Sequence, residues 1–397
     1  MEYTLNDALD LAAKLDDAIR NSEAINRLQD DGLRRRLREA SRKLSIAPLQ
    51  LALARIGVER GIFDLLSKGD ILTSADLATQ TQIDPVLCRR LLRYWQSQDM
   101  ISQPNNDAYK ANNVTKALSS ASGSSGISYF HEMISQSFWA LPKFIRETGY
   151  QNPEDPNKCS WHFGHNTDLN PFPWLRANPE HMQYFLPWMA TQREGLPIFL
   201  DTMNVNDEFW KKANDSTPLF VDVGGALGHQ CIAVRKRYQD LQGRVILQEQ
   251  GFIIDQVESH PLPEFKNVET MRYDFFTPQP IQGARIYYFR NIFHDWPDNK
   301  CIEILENLKG AMKEDSVLFI DEMVLPEKGA PWRATQLDMA MMTCLAAKER
   351  TAIEWEALLN KGDFKVQRIC KYTDECEDCI IVATPKSGAE NRLATLS

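Results

Sequence analysis

Leu219-Phe-Val-Asp-Val-Gly-Gly-Ala-Leu-Gly-His229 is the stretch on which the reading of this chain turns. An apolar strand runs into a glycine-rich turn, and a helix is expected to begin near Gln230; α/β folds bind nucleotide-like ligands at such a turn. Gly224, Gly225 and Gly228 permit close backbone approach and positive φ beneath a flat ligand. Their spacing discriminates between ligands. The dinucleotide fingerprint needs Gly at 226, where Ala stands, and no P-loop lysine follows, which disfavours a pyrophosphate. The next strand ends in Gln248-Glu249-Gln250, about twenty residues on, where an acidic side chain can accept both ribose hydroxyl hydrogens. Glu249 is therefore a ribose-binding candidate, or else an exposed loop acid.

Downstream, apolar strand-like runs alternate with helical ones. LFVDVGG, RVILQE, ARIYYFRN, SVLFIDEMV, KVQRICKY and CIIVATP read as strands, with helices around 229–240, 298–314 and 352–361. That alternation predicts a mostly parallel, doubly wound α/β sheet. The last two strands, joined by a short acidic turn, read as an antiparallel hairpin at its edge. We assign this domain to residues 201–386 and expect the tail 387–397 to be disordered.

Upstream, residues 1–122 read as a helical arm followed by a winged-helix module. The arm has apolar residues at helical spacing (Leu5, Ala8, Leu9, Ala12, Leu15) and then the basic run GLRRRLREASRKL, a solvated helix face. Ser74 offers an N-cap before ADLATQTQ, DPVLCRRLLRYWQSQDMI makes a second helix, and Pro104, Asn105, Asn106 and Asp107 supply a hairpin turn. The run SSASGSSG at 119–126 reads as a flexible junction, opening a helical block over 123–200 that is rich in aromatics, Pro and His. Phe130, His131, Trp139, Phe163 and His165 are its candidates for a substrate-cavity wall, against the alternative of ordinary core.

Composition narrows the function. The chain has 397 residues, 43% of them hydrophobic, enough for two domains. With 45 basic against 54 acidic residues the net charge is −9, which gives no field to attract nucleic acid, so the winged helix reads as a dimerisation module. No signal-peptide pattern and no apolar run of about 18 residues occurs, so neither a membrane nor export is expected, and the protein reads as cytoplasmic. The eight cysteines are scattered, and the single CxxC at Cys376 and Cys379 has no second pair or His cluster. Reduced packing thiols, and no metal, are the expectation.

The motifs VDVGGALGH, ILQEQ, YDFFTPQPIQGARIYYFRNIFHDWPDNKC, LFIDEMVLP and AKERTAIEW, in that order, resemble those of fungal and plant small-molecule O-methyltransferases of the caffeic acid O-methyltransferase type. The helical half is similar to that family's dimerisation domain, so the resemblance covers nearly the whole chain and implies a homodimer with a Rossmann-like S-adenosylmethionine-binding domain. It also implies that Asp274 and Phe275 hold the adenine, that Arg290 lies near the methionine end, and that Trp296 offers a stacking face. Arg290 could instead be a structural cation near the sheet edge. Two departures stand out: Ala226 replaces a usual third Gly, and Glu249 a frequent Asp.

Methyl transfer to a phenol of pKa about 10 needs a base, and a His near 6.5 suits the task. In FRNIFHDWPD, His294 follows a strand's C-terminal end, where α/β sheets place their sites. Glu322, ending SVLFIDE, and Glu349, in KERT, would orient its ring, completing the base-plus-two-acids pattern that the resemblance implies. Asp338, Met339, Met341 and Met342 fall on a helix that would line the acceptor pocket, unless the methionines are simply core. The acceptor is read as a small aromatic or polyketide-type metabolite. Some fungal proteins resembling the family instead run dehydrations and pericyclic reactions of quinone methides, keeping the cofactor as a bound cation. For that chemistry His131, Arg290 or His294 would polarise the substrate. A catalytically silent dimeric binding protein fits the winged helix but leaves the base and acids unexplained.

Overall fold

The computed structural model describes residues 45–210 and 213–386. The arm expected over residues 5–44 and the tail from 387 lie outside the described residues. Two compact units make up the chain, one ending at His131 and the other beginning at Glu132, so the division falls within the block 123–200.

In the first unit, α1 (Ala47–Glu59), α2 (Ile62–Ser67), α3 (Ser74–Thr81) and α4 (Pro85–Ser97) precede a hairpin of β1 (Ser102–Asn105) and β2 (Ala108–Lys110), and α5 (Asn113–Ser119) and α6 (Ala121–Tyr129) follow. Helix, turn, helix and hairpin come in the expected order. They enclose a core of Phe63, Leu66, Leu77, Leu92, Trp95 and Tyr109, with the Trp95 indole N–H donating to the Leu53 carbonyl at 3.1 Å. Two details correct the sequence reading. Thr73, not Ser74, caps α3: its hydroxyl accepts the Asp76 N–H at 3.1 Å and Asp76 returns the bond to the Thr73 N–H at 2.9 Å. The run SSASGSSG is helical rather than flexible. Ser120 caps α6 through the Gly123 N–H, and Ser124, Ser125 and Ser128 each donate to the carbonyl four residues back. Gly123 packs so tightly that a Cβ there would lie 1.9 Å from the Ala117 carbonyl oxygen.

The second unit opens with helices α7 (Ser135–Glu147), α8 (Ser160–His165), α9 (Pro171–Ala177), α10 (Met182–Thr191) and α11 (Val205–Phe209). A sheet follows, built from β3 (Pro218–Val223), β4 (Arg244–Glu249), β5 (Glu269–Arg272), β6 (Ile286–Arg290), β7 (Val317–Leu325), β8 (Arg350–Thr351), β9 (Phe364–Lys371) and β10 (Asp378–Pro385). Its order is β5-β4-β3-β6-β7-β10-β9, with β8 pairing the end of β7. The strands from β5 to β7 are parallel, and β10 is antiparallel to both β7 and β9. The six strands read from the sequence are present and the edge hairpin is antiparallel. The two strands missed, β5 and β8, are short and lack an apolar run: β5 is ETMR, with both ends exposed.

Both faces of the sheet are buried. Odd residues of β7, Val317 and Phe319, join Phe220 and Tyr288 in one core, and even residues, Leu318 and Ile320, join Tyr287 and Phe289 in the other. Between the strands run α12 (His229–Arg237), α13 (Gly251–Ser259), α14 (Asp298–Lys309), α15 (Trp332–Leu345) and α16 (Ala352–Lys361). All eight cysteines are free thiols, seven of them buried, as packing residues should be. No helix among the described residues is long and apolar enough to cross a membrane.

Candidate active site

The parallel strands deliver their C-terminal ends to one edge of the sheet, and the glycine turn leaves β3 there. Gly224 has φ 72°, and its N–H donates to the Gln248 carbonyl of β4 at 2.8 Å. A Cβ on Gly225 would sit 2.5 Å from the Asp222 carboxylate and 2.6 Å from Leu247, so only glycine lets the chain pass. Gly228, at φ 81°, caps α12, which begins at His229. Ala226 holds φ 47°, left-handed backbone that costs an L-residue roughly 1–2 kcal/mol. Ala226→Gly should therefore stabilise the protein by about 0.5–1 kcal/mol, the relief less the ~0.4–1 kcal/mol of extra unfolded-chain entropy. A urea unfolding midpoint that fails to rise would show that the left-handed backbone costs Ala226 no more than glycine's extra unfolded-chain freedom.

Among the described residues, two acids at this turn have no ion pair to a basic side chain. Burial pushes Asp222 up to about 7, against a hydrogen bond from the Cys231 thiol and the charge of Arg290. Burial likewise pushes Glu249 up to about 7, opposed only by the Gln250 N–H. A cradle of carboxylates and backbone N–H groups repels phosphate and accepts a ligand that brings hydroxyl donors and positive charge. A ribose bearing a cationic sulfur fits that donor set.

The remaining cofactor candidates divide. Phe275 and Ile292 border the space beside Gly224, where an added Cβ would lie 3.9 Å and 2.5 Å from them, and Phe275 forms an aromatic cluster with Phe276 and Trp296, Trp296 meeting Phe276 edge-on at 4.8 Å and Phe275 at 6.2 Å. Asp274 is exposed, and its carboxylate accepts the Phe276 N–H at 3.0 Å. Arg290 ends β6, a central strand rather than one near the edge. Its Nε lies 3.7 Å from Asp321, which also accepts the hydroxyls of Tyr288 and Tyr372, the latter at 2.5 Å. Burial opposes the guanidinium charge, but Asp321, Tyr288, Tyr372 and Asp378 together outweigh it and keep the cation firmly charged.

His294 sits on the turn after β6, in a short 3₁₀ segment Phe293–Asp295, and is 7% exposed. Glu322, which follows Asp321 on β7, builds that turn: its Oε1 accepts the N–H groups of Ile292 and Phe293, each at 2.8 Å, and more loosely that of His294 at 3.4 Å. Its other oxygen stands 3.7 Å from His294 Nδ1. The ring's Nδ1–H donates to Glu349 Oε1 at 2.6 Å, which leaves Nε2 as the working nitrogen, 3.5 Å from Asp295. Burial disfavours the imidazolium, but Glu349, Glu322 and Asp295 together push the ring up to about 10. Burial raises Glu322 to about 7 and Asp295 to about 6, with the His294 charge working the other way. Sequence reasoning missed Asp222, Asp295 and Asp321; only their closeness in sequence to the chosen Gly224, His294 and Glu322 could have flagged them.

Helix α15 packs on the His294 turn, and α7 and α8 pack on α15. Asp338 on α15 accepts the Glu349 N–H at 3.0 Å through Oδ1, which ties this helix to a catalytic candidate. Met339 is exposed and Met341 and Met342 are half-buried. Trp139 on α7 is 65% exposed, and Phe163 packs on Phe144 at 5.3 Å. His165 is committed to packing: it stacks on Trp161 at 3.8 Å and its Nε2–H donates to the Met133 carbonyl at 2.7 Å. Phe130 and His131 are the last residues of the first unit and the first two of a π-helical turn, Phe130–Ile134. One nitrogen of His294 and one oxygen from each of Glu322 and Glu349 lie within 4.8 Å of one another, close enough to share a cation as well as a proton.

Residues 204–365 match the model of an O-methyltransferase domain, and residues 54–121 that of an O-methyltransferase dimerisation domain. O-methyltransferase ucdC of Aspergillus ustus is 37% identical over 338 residues, covering 84% of this chain and 86% of its own length. A solved structure of LepI in complex with SAM superposes with a TM-score of 0.83 at 32% identity, covering 94% of each chain. A structure described as a pericyclic reaction enzyme does so with the same TM-score at 33% identity, again over 94% of each.

Proposed function

The chain belongs to the O-methyltransferase family, and on that premise we propose that it transfers a methyl group from S-adenosylmethionine to a hydroxyl of a small aromatic or polyketide-type metabolite, with His294 as general base. When bound, S-adenosylmethionine supplies an electrophilic methyl group on a cationic sulfur. The glycine turn at Gly224, Gly225 and Gly228 would face it, with Glu249 on the ribose hydroxyls, Asp274 and Phe275 toward the adenine and Trp296 as a stacking face. The acceptor hydroxyl gives its proton to His294 Nε2 as its oxygen forms the new bond to carbon. Glu349 fixes the ring's tautomer through Nδ1, and Glu322 fixes the turn that carries it. Glu349, Glu322 and Asp295 favour the ring's second proton, and a sulfonium charge bound in the same site would weaken that hold and free the base. The observation that carries this reading is the buried 2.6 Å contact between His294 and Glu349 at the C-terminal edge of the sheet. The dimerisation domain supports a homodimer, for light scattering to check.

A second reading rests on the same raised ring and on the pericyclic relative. An imidazolium donates a proton, so it can polarise a carbonyl or hydroxyl of a quinone methide while S-adenosylmethionine stays intact as a cation. His131 is the other candidate for that role, whereas Arg290 is held by Asp321. Mass spectrometry of protein, cofactor and a panel of phenolic and pyridone polyketides separates the two. Methyl transfer predicts a product heavier by one CH₂ and release of S-adenosylhomocysteine. A dehydrated or isomerised product with the cofactor unconsumed would establish the second reading.

A further inference from the structure

We propose that Arg350 is a positioning residue that sets the separation of His294 and Glu349, and so the strength of the hydrogen bond between them. Its side chain is fully buried and spends its donors on the backbone of both partners. Nη1 donates to the Phe293 carbonyl at 3.2 Å and to the Lys348 carbonyl at 3.3 Å, and Nη2 donates to the Trp296 carbonyl at 3.1 Å. Phe293 and Trp296 bracket His294 and Asp295, and Lys348 precedes Glu349. One planar cation therefore gathers the chain on both sides of the base and the chain leading into its carboxylate.

Two further contacts make the clamp rigid. Asp298 Oδ1 receives Nη2 at 2.8 Å and Nε at 3.2 Å, fixing the guanidinium plane, and the Trp355 ring lies beneath it at 5.2 Å. From the other side, Asp338 holds the Glu349 N–H. Lysine cannot replace this arrangement: a single ammonium offers three donors from one point, whereas the sites to be joined are spread around a fork. The inference rests on the His294–Glu349 pair described above, and it assigns to the arginine of KERT a task that Glu349 alone does not perform.

The acceptor is not needed to test it. The full chain, labelled with ¹⁵N-histidine and free of ligand, should show a low-field proton from the short His294–Glu349 bond, absent in H294A. In R350K that resonance should move upfield and broaden, and the titration midpoint of the ring should fall by about one unit or more. D298N, at a half-exposed acid, loosens the guanidinium without removing it, should shift the resonance the same way by less, and carries the test if R350K does not fold. A resonance and midpoint unchanged in folded D298N or R350K overturn the clamp and leave the base reading standing. Turnover retained by H294A, with the resonance still displaced in R350K, overturns the base reading and leaves the clamp.

Discussion

Replacing His294 by alanine is expected to lower methyl transfer by about 10²–10⁴-fold, the usual worth of a positioned general base. Cofactor affinity should not fall, because the ring's contacts are with Glu349, Glu322 and Asp295 and its own charge opposes a bound sulfonium. Steady-state kinetics with a methyl acceptor, paired with calorimetric titration of S-adenosylmethionine, separates the two quantities. Turnover within about fivefold of the parent would remove His294 as base. The pH profile carries independent information. Only the ring that has shed its second proton can accept one, so kcat should rise with pH. The limb should lie below about 10, where the free ring titrates, since the sulfonium charge disfavours the imidazolium. The same group sets a stability term of known sign. Its folded pKa is raised, so its contribution is complete below about 6.5 and is lost as pH climbs through about 10.

Glu249→Ala is expected to weaken S-adenosylmethionine binding by about 10- to 100-fold, the loss of charge-assisted hydrogen bonds worth ~1.5–3 kcal/mol. The acceptor is the carboxylate, held near 7 by burial, so parent affinity should decline as pH falls below about 7 and the variant's should not. Stability should move oppositely. A carboxyl whose folded pKa is raised is best accommodated at low pH and disfavours the fold as pH rises through about 7. Glu249→Gln should accordingly melt higher than the parent at pH 8 when no ligand is present. An affinity unaltered in Glu249→Ala, or a pH dependence shared by both proteins, would take Glu249 out of the ribose role.

The alternation of apolar runs made the sheet readable because five of the six strands are buried on both faces and the sixth, β9, is long; ETMR and Arg350-Thr351 are pinned by neighbours rather than by apolar side chains of their own. The serine-rich run misled because small residues signal freedom in isolation. In the chain they bond back along α6 and let it press against α5. Within the site, His294, Glu322 and Glu349 were legible as residue types at strand ends. Asp295, Asp338 and Arg350 were not legible in their roles, because a carboxylate's task depends on which N–H or ring it meets across the fold. Arg290 was read as facing ligand or as lying near the sheet edge; its tie to Asp321 comes from β6 and β7 running side by side.

Asp321 and Glu322 are neighbours in sequence and, by the alternation of a strand, belong to opposite faces of β7. One steadies Arg290, Tyr288 and Tyr372; the other builds the turn beneath His294. β7 is thus phase-locked. A single inserted or deleted residue between Val317 and Asp321 would exchange the two carboxylates between compartments, stranding the arginine and unmaking the base in one step. Along this strand length is constrained more tightly than composition, and chimaeras between relatives should cross over outside it.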